Sequence, residues 1–429
     1  MKRLVILGGG ESGAGAAVLG KAQGFEVFVS DYGTIAENYQ KELKGHKINF
    51  EQQQHTESDI LNADLVVKSP GIPKEAPIVQ KLIAADVAII SEIEFAARYT
   101  DAKIIAITGS NGKTTTTLLM HHMLHKAGLN VGMAGNVGDS FARMVATEKY
   151  DYYVLEVSSF QLDDIEQFRP WISVLTNITP DHLDRYEYDF RKYADAKFRI
   201  AENQTEEDHF IYNLDDPVTI ELLKDKKIKA QNYGFAYEKQ DEAVAWVKHN
   251  AIQLEMNLEN SAFSIESMTL QGRHNMYNTM AAAVVGNILE LRKEKVRESF
   301  SDFRNAEHRL EKVAMVRGVE FINDSKATNV NSTWYALESV NKPIVWVAGG
   351  VDKGNDYSIL APMVEKKVRC IIALGANVLK IHKAFSQKVD MIVNINSMEE
   401  AVKLSYHLAD KGDAVLLSPA CASFDMFDD

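Results

Sequence analysis

Two glycine loops, about a hundred residues apart, each stand between a short apolar run and a helical pattern. That placement constrains the fold more than any other feature of the chain. A strand that ends in glycines and turns straight into a helix belongs to an open α/β sheet, where backbone amides at the helix N-terminus meet phosphate. One domain rarely needs two such loops, so at least two α/β domains are expected. The surrounding pattern agrees. Residues 4–7, 27–29, 65–67, 104–107, 154–155, 345–347, 371–374 and 415–417 read as buried parallel strands. Residues 114–126, 190–201, 376–385 and 398–408 carry helical periodicity between them. From about 243 to 270 the period becomes two, as in Val244, Trp246, Lys248 and then Ile252, Leu254, Met256, which predicts a small antiparallel annex. At about 150 residues per domain, 429 residues suggest three. The expected limits are 1–92, 93–298 and 299–429.

Composition narrows the function. Hydrophobic residues make up 46% and charged residues 25%, a globular balance that excludes a disordered chain. The net charge of −13 argues against a general nucleic-acid binder, which needs a basic face. Cys370 and Cys421 are the only cysteines, so there is no disulfide framework and a cytoplasmic setting is expected. No apolar run approaches the ~20 residues that span a bilayer, and no membrane partner is expected.

The first loop, Gly8-Gly9-Gly10-Glu11-Ser12-Gly13, has the G-x-G-x-x-G spacing, and Asp31 closes the next strand. By itself it is compatible with NAD, with another diphosphate ligand such as a UDP-sugar, or with a tight turn. Ser69-Pro70-Gly71-Ile72-Pro73 supplies a further turn after a strand. The second loop, Thr108-Gly109-Ser110-Asn111-Gly112-Lys113-Thr114-Thr115, reads as an ATP cradle in which backbone amides and Lys113 hold phosphates and Thr114 holds Mg²⁺. Two residues separate its glycines where the usual P-loop has four, which counts against switch GTPases and motors. Glu156 ends a strand at the edge where such sheets bind ligands, a natural place for a Mg²⁺ ligand. His182 follows another strand, and Lys197 lies in a helical stretch.

The shortened Thr-Gly-Ser-Asn-Gly-Lys-Thr-Thr loop resembles that of the Mur ligases, ATP-dependent amide-forming enzymes of peptidoglycan precursor synthesis. Leu155–Leu162, Asn323-Asp324-Ser325-Lys326-Ala327-Thr328-Asn329 and the segment 417–425 are similar to the branch that adds D-glutamate to UDP-N-acetylmuramoyl-L-alanine. The resemblance runs in order along nearly the whole chain. It implies an α/β fold of three domains: a Rossmann-like N-terminal domain for the UDP substrate rather than NAD, a central P-loop ATPase-type domain with a parallel sheet, and a C-terminal Rossmann-like domain for D-glutamate.

Roles follow by position. Ser12, Asp31 and Gly71 would contact the uridine diphosphate portion, with Asn136, Ser158 and Gln161 also on the UDP substrate. Gly109, Ser110, Asn111, Gly112, Lys113, Thr114 and Thr115 would cradle ATP, and Asn278, Arg309 and Asp324 would hold adenine and ribose. Two Mg²⁺ sites would use Thr114, Glu156, His182 and Lys197, the last as a carbamate formed with CO₂. Lys326, Thr328, Lys353 and Ser423 would hold D-glutamate. Lys113, Glu156, His182, Lys197 and Lys326 form the implied catalytic set. A monomer is expected. Family members continue past the segment matching 425–427 into a further helix, whereas this chain stops at Asp429, so a C-terminal domain shortened at its end is expected. The rivals are an NAD-dependent dehydrogenase, which leaves the second loop unexplained, a nucleotide-gated regulatory module, a sibling ligase and a folylpolyglutamate synthase.

Overall fold

The computed structural model describes residues 2–256, 259–352 and 354–427. It contains three sheets. The first holds β1 (Arg3–Leu7), β2 (Glu26–Asp31), β3 (Asn49–Gln52), β4 (Leu65–Lys68) and β5 (Ile89–Ser91) in the order β3-β2-β1-β4-β5. All its pairings are parallel. Leu4, Val5, Ile6 and Leu7 are fully buried, as continuous apolar runs in a sheet covered on both faces should be.

The second sheet has nine strands: β6 (Lys103–Thr108), β7 (Val131–Gly135), β8 (Tyr152–Glu156), β9 (Ile172–Leu175), β10 (His209–Asn213), β11 (Gln231–Phe235), β12 (Ala243–Lys248), β13 (Ala251–Met256) and β14 (Glu259–Ser264). Their order is β14-β13-β12-β11-β10-β9-β6-β8-β7. The period-two section forms the expected small antiparallel annex, built onto the edge of this same sheet. β12 pairs in parallel with β11, and β13 and β14 then add antiparallel strands to the edge of the same sheet. Alternation showed that this section has one buried face, but local periodicity carries no record of which strand it pairs with.

The third sheet holds β15 (Glu311–Val316), β16 (Val319–Asn323), β17 (Ile344–Gly349), β18 (Val368–Leu374), β19 (Met391–Ile395) and β20 (Ala414–Ala420), ordered β15-β16-β20-β17-β18-β19. β15 is antiparallel to β16, and the others are parallel. Each sheet thus lies inside one of the three expected segments. The chain forms two compact units: residues 1–266 with 277–301, and 267–276 with 302–429. The first two sheets share a unit.

Buried carboxylates tie those two sheets together. Glu92 accepts from Ser140 Oγ at 2.7 Å and Ala142 N at 2.6 Å. Burial pushes its pKa up. The fully buried Glu94 accepts from the backbone amides of Glu166, Gln167 and Phe168 at 2.7–2.9 Å and pairs with Arg98. Among the described residues, no helix is long and apolar enough to cross a membrane.

Candidate active site

The phosphate loop runs from β6 to the helix Lys113–Lys126. Gly109 has φ +147° and Gly112 φ +84°. A Cβ on Gly109 would lie 1.9 Å from Thr176 Oγ1, and one on Gly112 2.5 Å from Asn278 Oδ1. Only glycine fits either place. The segment after β9 straps the loop from behind. Ser110 N donates to Asn177 O at 2.8 Å, Asn111 N donates to Asn177 Oδ1 at 3.0 Å, and Thr176 Oγ1 donates to Asn111 O at 2.7 Å. Ser110 Oγ gives its proton to Thr179 O at 2.8 Å, so the Tyr193 hydroxyl at 2.9 Å must donate to it.

Two lysines converge on the loop. Lys113 Nζ donates to Gly109 O at 2.9 Å and to Ser110 O at 3.0 Å. Lys197 Nζ donates to the same Gly109 O at 2.8 Å and stands 4.6 Å from the centroid of the Tyr193 ring. Lys197 is 2% exposed. Its burial first, and the Lys113 charge second, hold its pKa well below the usual lysine range. Asp181, Glu156 and Asp163 oppose this and do not reverse it.

Glu156 ends β8 beside the loop and is 2% exposed. Its Oε1 accepts from Asn136 Nδ2 at 2.7 Å. Its Oε2 is buried with no hydrogen-bond partner. An unsatisfied buried carboxylate oxygen at a phosphate loop is chemistry that fits a hard cation. Thr114, also buried, is the second residue of the adjacent helix. His182, in the left-handed region at φ 49°, keeps a half-exposed ring edge-on to Phe160.

A second cavity of about 900 Å³ opens over the first glycine loop, lined by Gly8, Gly10, Ser12, Asp31, Ser69 and Gly71 among others. It gathers Ser12, Asp31 and Gly71 at one place. Asp31 Oδ2 accepts from Gly9 N at 2.6 Å and Oδ1 from Gly33 N at 2.7 Å, so this carboxylate also fastens the loop. The turn at Gly71 is tied to the central sheet's segment. Arg185 donates to Pro70 O at 3.2 Å and to Gly71 O at 3.4 Å while lying over the Phe160 ring. Lys68 pairs with Asp164 at 2.9 Å.

In the second unit, a cavity of about 640 Å³ is lined by Arg309, Lys326, Thr328, Gly349, Gly350 and Ser423 among others. Asp324 lies buried next to it, accepting from Ser418 Oγ at 2.9 Å and Leu310 N at 3.2 Å. Burial pushes its pKa up to about 7.

The chain matches three family profiles: the MurD N-terminal domain over residues 3–78, the Mur ligase middle domain over 107–286, and the Mur ligase, glutamate ligase domain over 308–421. It is 52% identical over 427 residues to the UDP-N-acetylmuramoylalanine--D-glutamate ligase of Christiangramia forsetii, covering 100% of this chain and 96% of that protein. It is 53% identical to the enzyme of the same name from Bacteroides thetaiotaomicron, with the same coverage. The chain belongs to the Mur ligase family.

Solved structures agree at the level of fold. The UDP-N-acetylmuramate-alanine ligase of Thermotoga maritima aligns with TM-score 0.62 at 17% identity, over 98% of this chain and 96% of the other. A pseudomurein peptide ligase from Methanothermus fervidus aligns with TM-score 0.62 at 22% identity, over 97% and 96%.

Within this Mur ligase, Gly109–Thr115, Lys197, Glu156, Asn136 and Asn278 gather about the phosphate loop. Ser158 and Gln161 face each other in a capping box on the short helix Ser159–Leu162, with Gln161 Oε1 accepting from Ser158 N at 2.9 Å. Lys353 lies outside the described residues. Thr176, Tyr193 and Arg185 carry structural duties at the site that the sequence reading did not assign. Tyr193 had a signal: it stands four residues before Lys197, on the same helical face.

Proposed function

We propose that this Mur ligase joins D-glutamate to UDP-N-acetylmuramoyl-L-alanine at the expense of ATP, through an acyl phosphate, in peptidoglycan precursor synthesis. The observation that carries the reading is the identity of about half of all positions, over the whole chain, to enzymes named for that reaction. The site supplies the chemistry. A free carboxylate repels nucleophiles and would have to expel oxide. Its oxygen attacks the γ-phosphorus of ATP, ADP leaves, and the amine of D-glutamate then attacks the acyl carbon and expels phosphate. Two like unit charges 4 Å apart repel by about 4 kcal/mol at an effective dielectric of 20. Bringing a carboxylate to a triphosphate therefore needs fixed positive charge and oriented N–H groups.

The loop amides and Lys113 would hold the phosphates, with Lys113 leaving its two carbonyl partners for them. Thr114, Glu156 and His182 would hold Mg²⁺, which when bound supplies neutralising charge. The free Oε2 of Glu156 supports that assignment. Ser12, Asp31 and Gly71 would seat the UDP portion and Lys326, Thr328, Lys353 and Ser423 the incoming D-glutamate, with Arg309, Asp324 and Asn278 on the nucleoside of ATP. Lys197 would be carbamylated. Burial that holds a lysine below its ordinary pKa favours the neutral amine, the form that attacks CO₂, and the product places an anion beside the loop. We read the enzyme as a cytoplasmic monomer. ADP release measured with UDP-N-acetylmuramoyl-L-alanine and a panel of D- and L-amino acids tests the reading. Turnover is expected with D-glutamate, and preference for any other amino acid would point to a sibling activity.

A further inference from the structure

The ring of Tyr32 is 77% exposed. It follows Asp31 directly at the end of β2 and lines the rim of the cavity over the first glycine loop. Among the described residues it has one ring neighbour, His55, 5.7 Å away and tilted by 39°. A large aromatic left in water at the mouth of a cavity contributes nothing to the core. Its surroundings are nevertheless fixed. Gly33 N is held by Asp31 Oδ1 at 2.7 Å, so the backbone after Tyr32 is tied to the carboxylate of the residue before it. His55 is anchored in turn. Ser30 Oγ donates to Glu51 Oε1 at 2.6 Å, so the contact of His55 Nδ1 with Ser30 Oγ at 2.7 Å is a donation from the imidazole. Glu51 is itself held by Thr56 N at 2.8 Å. The His55 ring therefore has a set orientation behind Tyr32.

The position along the sheet defines what such a ring meets. A diphosphate at the glycine loop lies at the N-terminus of the helix Glu11–Ala22, and its nucleoside extends toward the end of the neighbouring strand β2. That is where Tyr32 stands. We propose that Tyr32 is the stacking platform for the uracil base of the nucleotide substrate, with His55 as the backing ring that orients it. This rests on the reading of the cavity as the UDP site. Stacking tolerates any base, so the platform supplies affinity, and selection among bases is left to polar groups at the edge.

Titration of the full chain with UDP separates the two ideas. Wild-type protein binds UDP, and Tyr32→Ala weakens that binding by roughly 5- to 100-fold, as expected for loss of one base–aromatic stack. Tyr32→Phe stays within about 2-fold, because the face and not the hydroxyl is used. KM for the UDP substrate rises with Tyr32→Ala, while KM for ATP does not. In Tyr32→Trp, added UDP quenches the indole fluorescence and inorganic pyrophosphate does not. Unchanged UDP affinity in Tyr32→Ala, or an unquenched Trp, overturns the stacking role alone. Failure of the wild-type protein to bind UDP overturns the cavity assignment itself.

Discussion

Lys197 and Lys113 donate to one carbonyl oxygen, that of Gly109, yet the proposed reading gives them opposite jobs. Lys113 begins the helix and in that reading turns to phosphate, whereas Lys197 is buried against the loop. Lys113→Ala is expected to lower kcat by roughly 100- to 1,000-fold, the scale of losing one preorganised charge at a transition state, without a change in Tm. Lys197→Ala should be as damaging, and short carboxylates such as formate should partly restore it. Mass spectrometry under ¹³CO₂ should find the carbamate, and a bare ammonium in fully active protein would contradict that assignment. Asp324 offers a pH test. Its folded-state pKa of about 7 stands above the ordinary carboxylate value of 3.8, so between those limits the folded chain binds the extra proton. Stability contributed by this group is therefore greatest near pH 4 and is lost as pH rises toward 7, by a few kcal/mol on the order of its shift. Thermal melts of Asp324→Asn should show a flatter pH dependence across that window than wild type.

Elements transmit these placements. The strap 176–179 and the helix Phe190–Phe198 both grip the phosphate loop, through Asn177 and through Tyr193. Gly109→Ala should abolish ATP use even if the protein folds, because its Cβ would have to displace Thr176. Glu94→Ala should lower stability by about 3–5 kcal/mol, since three backbone amides and Arg98 would lose a buried carboxylate. Chemical denaturation would read that loss. Much of this architecture was legible in the chain. The strands flanking both glycine loops were visible as short apolar runs because parallel strands are buried on both faces, and the loops themselves betray their backbone demands through glycine. The antiparallel annex was legible from its period of two, but its pairing partners were not, so its attachment through β12 to β11 came only from the fold. Tyr193 and Arg185 escaped because an aromatic on an amphipathic helix and an arginine in a single 3-10 turn look ordinary until the fold brings Ser110 and Gly71 to them. Glu156 was found as a strand-end acid, but its unsatisfied oxygen is a property of packing alone.

At the scale of the molecule, the proposed ligand set is divided between the two compact units. The first carries the phosphate loop and the cavity over Gly8–Ser12, and the second carries the cavity around Lys326, Thr328 and Ser423. Substitutions at Lys326, Thr328 and Ser423 should therefore act on the amino-acid substrate. Lys326→Ala is expected to raise KM for D-glutamate by roughly 10- to 100-fold, the cost of one charge-assisted hydrogen bond, with a smaller effect on KM for the UDP substrate. The most direct measurement is steady-state release of ADP with each substrate omitted in turn. Release should need ATP, UDP-N-acetylmuramoyl-L-alanine and D-glutamate together, and should yield one amide bond per ADP. Release that continues undiminished without the UDP substrate or without D-glutamate would contradict a ligase.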